Sequence, residues 1–397
     1  MSVLRLPDKF IPLLMKIEPL LSIADQFSLG EQVEIEVSDG DSIVLTGSQI
    51  QTSIMFDNRA LPKKEHLVIQ DSWIAPYPKI DTLIAKVEEN PNLIISSFPL
   101  SNEDIVDIWF SGGQLRMLKS HPTCRTEDHR AMLLTALALS FSLDDSLVLA
   151  RAFSNNIAHS NSDEIKKVSW PVNLELFPKS FYNKSDSTLN QLHQIAEETC
   201  AFPSLLEPNI GLNPVVSSLE ELEAFFKLGV KTVQFKPESE SVEQKIVAAV
   251  ELSEEYQAFL FICDHWQLAL KHNAYGVHLH QKDLDSVDLL QVKQAAVRLG
   301  ISINGYFGVI EALPLRPSYI ALKHRFSTAE TDPEGINHLA LYRQLVKTTP
   351  TLAIGGINLE NADRIFRTGV VGFTIEHALK ESKDLKQTVA AFNAIMA

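Results

Sequence analysis

Short apolar runs recur through the second half of the chain, separated by longer stretches of mixed character. The runs are Asn213–Val216, Thr232–Phe235, Phe259–Ile262, Gly276–Leu279, Ile301–Ile303, Tyr319–Leu322, Leu352–Ile354 and Gly372–Ile375. Their length and bounding polar residues predict buried strands. Between most of them the pattern predicts helices, at Ser218–Leu228, Val242–Tyr256, Leu284–Leu299, Ile336–Val346 and Leu359–Arg367. Ser218 ahead of Glu220 and Glu221, with Gly229 behind, has capping chemistry at both ends. Asn358 as N-cap and Gly369 as stop frame the last helix in the same way. Strands alternating with helices over 205–397 predict a (β/α)8 TIM barrel. A doubly wound open sheet gives the same alternation, because strand number alone does not close a barrel.

The first half is less regular. MSVLRLPDKFIPLLMKIEPLL reads as one amphipathic helix rather than a signal peptide, since Lys16 and Glu18 break the apolar stretch and no small-residue cleavage site follows. Val33–Val37 and Ser42–Leu45 flank Ser38-Asp39-Gly40-Asp41 and predict a hairpin. His66–Gln70 and Asn92–Ser96 predict strands, and Asp81–Glu88 a helix. Arg130–Phe141 and Ser142–Ala158 predict two more helices, the second opened by Ser142 with Asp145 three residues on. The organisation expected is an α/β domain over 1–158, a linker with a helix near Tyr182–Glu198 over 159–204, and the barrel over 205–397.

Length and composition agree with two globular domains: 397 residues exceed one ordinary core. A net charge of −15 argues against a general nucleic-acid binder, which needs a basic surface. No apolar run reaches membrane-spanning length, so no membrane partner is expected. Cys124, Cys200 and Cys263 are widely spaced and form no paired motif, which fits a reducing cytoplasm.

A TIM barrel works at the C-terminal ends of its strands. Here those ends carry Gln234 and Lys236; Cys263 and Asp264; His280 with Asp283; Ser302 and Asn304; Lys323, His324 and Arg325; Gly355 and Gly356; and Glu376 and His377. Two carboxylates on neighbouring strands suit Mg²⁺, which takes one or two acids plus phosphate oxygens. The N–H groups of Gly355-Gly356-Ile357 ahead of a helix suit an anion. Each feature also has a plain reading, as a helix cap or a turn. His278 and His280 share one strand face and raise zinc, but no third ligand stands at zinc-site spacing.

The segments GVKTVQF, LFICDHWQLALKHNAYGVHLHQKDLD, LGISIN, RPSYIAL, TLAIGGINLENA and TGVVGF run through Leu212–Lys380. This stretch resembles thiamine phosphate synthase. The resemblance implies a Mg²⁺-dependent transferase of thiamine biosynthesis. Such an enzyme joins a pyrimidine bearing a methylene diphosphate to a thiazole phosphate and releases diphosphate. It implies that Asp264 and Asp283 hold the metal, and that Gln234, Lys236 and Ser302 act on the diphosphate substrate. Substrate contacts are implied also for Cys263, Thr328, Gly355, Gly356, Glu376 and His377. Departures cluster on that site. The family's Q-x-R-x-K stretch is Gln234-Phe235-Lys236-Pro237-Glu238, its asparagine before the metal acid is Cys263, and a glycine is His280. Its T-x-T-K loop is Thr328-Ala329-Glu330-Thr331, and a phosphate-binding serine falls on His377 beside Glu376. The pattern fits a weakened synthase. It also fits a non-catalytic relative that binds a thiamine-related ligand or a protein. The expected partners are small phosphorylated pyrimidines and thiazoles, with homo-oligomerisation open.

Phe110–Phe153 resembles the C-terminal part of hydroxymethylpyrimidine phosphate kinase, which has a ribokinase-like fold. The first domain is therefore expected to be a truncated version of that fold. The kinase's T-H-G-T-G-C anion loop falls on Thr126-Glu127-Asp128-His129-Arg130-Ala131, without either glycine, so no kinase activity is expected.

Overall fold

The computed structural model describes the chain except residues 48–50, 61, 63–65, 123–125, 160–168, 182–200, 208, 239, 285, 325 and 327–333. It divides into two compact units, Met1–Asn183 and Lys184–Ala397. The helix expected at Tyr182–Glu198 and most of the expected linker lie outside the described residues.

The first unit is built on a nine-stranded sheet. Its strands are β1 (Ser2–Pro7), β2 (Val33–Ser38), β3 (Ile43–Thr46), β4 (Gln51–Phe56), β5 (His66–Gln70), β6 (Leu93–Pro99), β7 (Ile105–Ser111), β8 (Gln114–Ser120) and β9 (Lys179–Ser180), in spatial order β2-β1-β3-β4-β5-β6-β7-β8-β9. Helices α1 (Ile11–Gln26), α2 (Ile80–Glu89), α3 (Thr126–Ala138) and α4 (Leu143–His159) complete it. Two local expectations are corrected. The opening residues form a strand before the helix, because Leu4 and Leu6 are buried and Arg5 between them is exposed, a period of two. The expected hairpin does not form either. β1 lies between β2 and β3, parallel to the first and antiparallel to the second. Fully apolar Leu4 and Leu6 take the inner position, and Glu34 and Glu36 suit β2 to the edge.

Ser142 caps α4 as expected, its hydroxyl accepting from the Asp145 N–H at 3.1 Å. Thr126–Ala131, the segment on which the kinase's anion loop falls, is helical from its first residue. Two of its charged side chains are engaged: Asp128 accepts from Lys16 at 2.6 Å, and Arg130 forks onto Asp71 at 2.6 and 2.7 Å.

The second unit is a closed barrel of eight parallel strands. They are β10 (Gly211–Val216), β11 (Thr232–Phe235), β12 (Phe259–Cys263), β13 (Gly276–His280), β14 (Arg298–Ile303), β15 (Tyr319–Lys323), β16 (Thr351–Ile354) and β17 (Gly372–Ile375). Pairing of β10 with β17, Asn213 opposite Thr374, closes the ring. Closure excludes the open-sheet alternative. Ser218 caps the first helix, its Oγ accepting from Glu221 N–H at 3.1 Å.

Three helix expectations change. The one placed at Leu284–Leu299 contracts to Leu289–Gln294, started by Asp288 and followed by Ala296 in a left-handed conformation. The helix expected at Leu359–Arg367, which follows β16, contracts to Ala362–Phe366, with Asn361 as N-cap, while Asn358 turns the preceding loop by accepting from Glu360 and Asn361 N–H. Gly305–Ala312 is a helix the pattern did not predict, because all eight residues are buried and leave no polar face to mark a period.

Candidate active site

The barrel lumen is filled first at two glycines. A Cβ on Gly276 would lie 2.4 Å from the Phe261 ring, and one on Gly300 would lie 2.2 Å from the Tyr319 ring. The missing side chains let both aromatics lie across the lumen, edge to face at 5.0 Å. Tyr319 thereby aims its hydroxyl at residues from other strands.

A buried polar layer rests on that floor. Gln234 Nε2 donates to the Tyr319 hydroxyl at 3.2 Å. Because β11 and β15 stand opposite each other in the ring, this bond crosses the lumen. The Asn213 amide also approaches that hydroxyl, short of good hydrogen-bond geometry. His278 Nδ1 lies 2.7 Å from the Tyr319 hydroxyl, and His278 Nε2 lies 2.7 Å from Ser302 Oγ. Cys263 Sγ approaches Gln234 Oε1 at 3.7 Å. Gln234, Cys263, His278, Ser302 and Tyr319 are all buried. Burial pulls His278 down to about 3, so its ring is neutral at physiological pH. Burial also pushes the Cys263 thiol and the Tyr319 phenol upward, which keeps both protonated.

The charged rim sits where the strands end. Lys236 Nζ is 3.0 Å from Asp264 Oδ2, and His280 Nε2 is 3.9 Å from Asp264 Oδ1. Burial raises the Asp264 carboxyl, but the Lys236 ammonium outweighs it and, with His280 and His265, holds it below the usual carboxylate range. The bond to Asp264 in turn raises Lys236, and Glu376 adds to that shift. Burial lowers His280 against the opposing pull of Asp264 and Asp283. Asp283 follows β13 in a single 3-10 turn, and its Oδ2 accepts the His280 N–H at 3.2 Å.

Two carboxylates are the protein share of a Mg²⁺ site that substrate phosphates complete. Asp264 uses Oδ2 on Lys236 and Asp283 uses Oδ2 on a cap, so each has a second oxygen to offer. Among the described residues no three His, Cys, Asp or Glu side chains are grouped closely enough for a cage made by protein alone. The donor set therefore fits an ion shared with a phosphorylated ligand.

The candidate residues separate into three groups. Gln234, Cys263 and Ser302 meet in the buried layer; Lys236, Asp264 and Asp283 meet around His280 at the rim. Gly355 and Gly356 form the turn after β16, at φ 114° and 60°. A Cβ on Gly355 would lie 2.2 Å from the His324 carbonyl, so this loop packs tightly on the chain leaving β15. It does not run directly into a helix: residues 357–361 intervene, and Gly356 O accepts from Asn361 Nδ2 at 2.9 Å. Glu376 follows β17 directly and is exposed, 3.7 Å from Lys380. His377 opens the short helix His377–Lys380. Thr328 and Glu330 lie outside the described residues. Pattern reading missed Tyr319 altogether and took His278 only as a metal question. Glycines inside strands, at 276 and 300, were the available signal of a close approach.

The sequence profile of the thiamine monophosphate synthase family matches residues 212–379. A thiamine-phosphate synthase of Citrobacter koseri is 41% identical over 193 residues, covering 47% of this chain and 92% of that one. One of Yersinia pestis is 43% identical over 199 residues, covering 48% of this chain and 92% of its own. Among solved structures, thiamine phosphate pyrophosphorylase from Pyrococcus furiosus aligns at 23% identity and a TM-score of 0.41, covering 48% of this chain and 96% of that one.

Proposed function

Since this chain belongs, through its barrel, to the thiamine-phosphate synthase family of transferases, we propose that its rim couples a pyrimidine methylene diphosphate to a thiazole phosphate. The methylene–oxygen bond breaks with its electron pair leaving on diphosphate. The thiazole nitrogen gives its lone pair to the methylene carbon, forming the new carbon–nitrogen bond. No proton has to move in that exchange, so positioning and electrostatics carry the catalysis.

Asp264 and Asp283 would hold Mg²⁺, which supplies positive charge to the leaving diphosphate. Lys236 adds a mobile ammonium beside the same oxygens, and Ser302 offers a hydroxyl from the layer beneath. Gln234 fixes the pyrimidine from the lumen side, with Cys263 against its amide. Gly355 and Gly356 form the turn that receives the thiazole phosphate, and Glu376 stands just after β17. The observation that carries this reading is the meeting of Lys236, Asp264, His280 and Asp283 at the strand ends above the buried Gln234 and Ser302.

The test is direct. Purified protein with both substrates and Mg²⁺ should release diphosphate only when both substrates are present. No release at high enzyme concentration, beside a working synthase, removes the proposal. One observation favours the second reading, a relative that binds without turnover. The rim's lysine and its metal-binding acid are engaged with each other, which weakens both for a phosphorylated ligand. Calorimetry with thiamine phosphate and the two precursors separates the readings, since a binder saturates without consuming either precursor.

A further inference from the structure

The buried layer contains a relay whose direction can be worked out bond by bond. The Tyr319 phenol stays protonated, so its oxygen has one hydrogen to give. Its acceptor side faces amides: Gln234 Nε2 donates at 3.2 Å, and Asn213 approaches as well. The remaining close neighbour is His278 Nδ1 at 2.7 Å. A phenol O–H donates to an imidazole nitrogen more strongly than an imidazole N–H donates to a phenol oxygen. Tyr319 therefore donates and Nδ1 accepts. The ring is neutral and carries one proton, which must then sit on Nε2. Nε2–H donates to Ser302 Oγ at 2.7 Å. A hydroxyl that accepts on one side keeps its own hydrogen for another partner, and among the described residues Ser302 has no second one.

We infer that His278 is a positioning residue: with Tyr319 it holds the tautomer that makes Ser302 Oγ an acceptor from below and a donor toward the mouth. The partner that suits such a donor is an anionic oxygen, here of a phosphoryl or diphosphoryl group at the rim. Ser302 lies opposite His280 in the β13–β14 register, with β13 between it and the strand that leads into Asp264, so a ligand seated on the rim lies over it. With the opposite tautomer Ser302 would donate to the ring and present only lone pairs upward, repelling the same ligand. The inference rests on the proposed reading of the rim as a diphosphate site, and it assigns the orientation that reading needs.

A merely structural histidine would also be buried and bonded twice, so the test must read direction. Protein labelled with ¹⁵N-histidine should show, among the rings that do not titrate between pH 8 and 5, the one that belongs to His278. That ring should have a pyridine-type Nδ1 and a pyrrole-type Nε2, vanish in His278→Gln, and shift in Tyr319→Phe. Calorimetric binding of inorganic diphosphate with Mg²⁺ gives the second readout. His278→Leu and Ser302→Ala should each weaken it about tenfold, and the double variant no further. His278→Gln, whose amide can still donate, should recover most of the loss. Melting curves confirm that each variant is folded. A protonated Nδ1 in the wild type, multiplicative losses in the double variant, or no diphosphate binding by the wild type would each overturn the inference. Wild-type protein with the expected tautomer and non-additive diphosphate binding but no turnover sustains it, while removing the synthase reading.

Discussion

Asp264 occupies a left-handed backbone conformation, at φ 64°, where an acid is tolerated better than most side chains but less well than glycine. Its carboxylate is tied to Lys236 at 3.0 Å. Asp264→Asn keeps the backbone tolerance and removes the charge, so it isolates the electrostatic role. The expected outcome is loss of any Mg²⁺-dependent rise in melting temperature and a fall in synthase turnover of about 10²–10³, as for removal of one preorganised group. Metal-free melting should change little, because the ion pair is half exposed and such pairs contribute little. A full Mg²⁺ shift in this variant would separate Asp264 from the metal. The position of both acids past a strand end was legible in the sequence, because Asp264 comes just after the run Phe259–Ile262 and Asp283 a short polar step after Gly276–Leu279. The ion pair with Lys236 was not, since it depends on how the chain leaves two neighbouring strands.

Elements show the same division between local and distant causes. The cap at Ser218 was legible because its chemistry lies within four residues. The eight barrel strands were legible because buried parallel strands are short apolar runs. β1 was not, since its place between β2 and β3 is decided by pairing with residues far along the chain. Nor was the Tyr319–His278 contact, which joins residues 41 positions apart. Strands β13 and β14 supply a test of how their glycines matter. Gly300→Ala puts a methyl 2.2 Å from the Tyr319 ring, and Gly276→Ala puts one 2.4 Å from Phe261. Each should cost about 1–3 kcal/mol by urea unfolding, the usual cost of overpacking. Only Gly300→Ala should also disturb diphosphate binding, because only Tyr319 carries the hydroxyl. Equal effects of both substitutions on binding would show that the floor acts as bulk alone.

At the scale of the whole molecule, three histidines among the described residues are held neutral by burial. His129 in the first unit, and His278 and His338 in the barrel, are each pulled down to about 3, chiefly by desolvation. Their folded values lie below the ordinary 6.5, so between about 3 and 6.5 the unfolded chain binds protons that the folded one refuses. Stability from these groups is complete above that window and is lost as pH falls through it, by up to roughly 1.4 kcal/mol per pH unit for each histidine. Urea unfolding at pH 7 and pH 5 should show a marked loss at the lower pH. His278→Gln should flatten the barrel's pH dependence; an unchanged slope would mean the ring is charged in the native state.

The two lumen glycines have a consequence for how this barrel tolerates mutation over time. One aromatic ring both plugs the floor and anchors the bonds above it, so an alteration there is punished twice, in folding and in ligand handling. Side chains at the mouth carry no such double duty and can drift while the barrel stands. Lys236 and His280, two of the departures from the family's pattern, stand at that mouth, where the asymmetry leaves room for them.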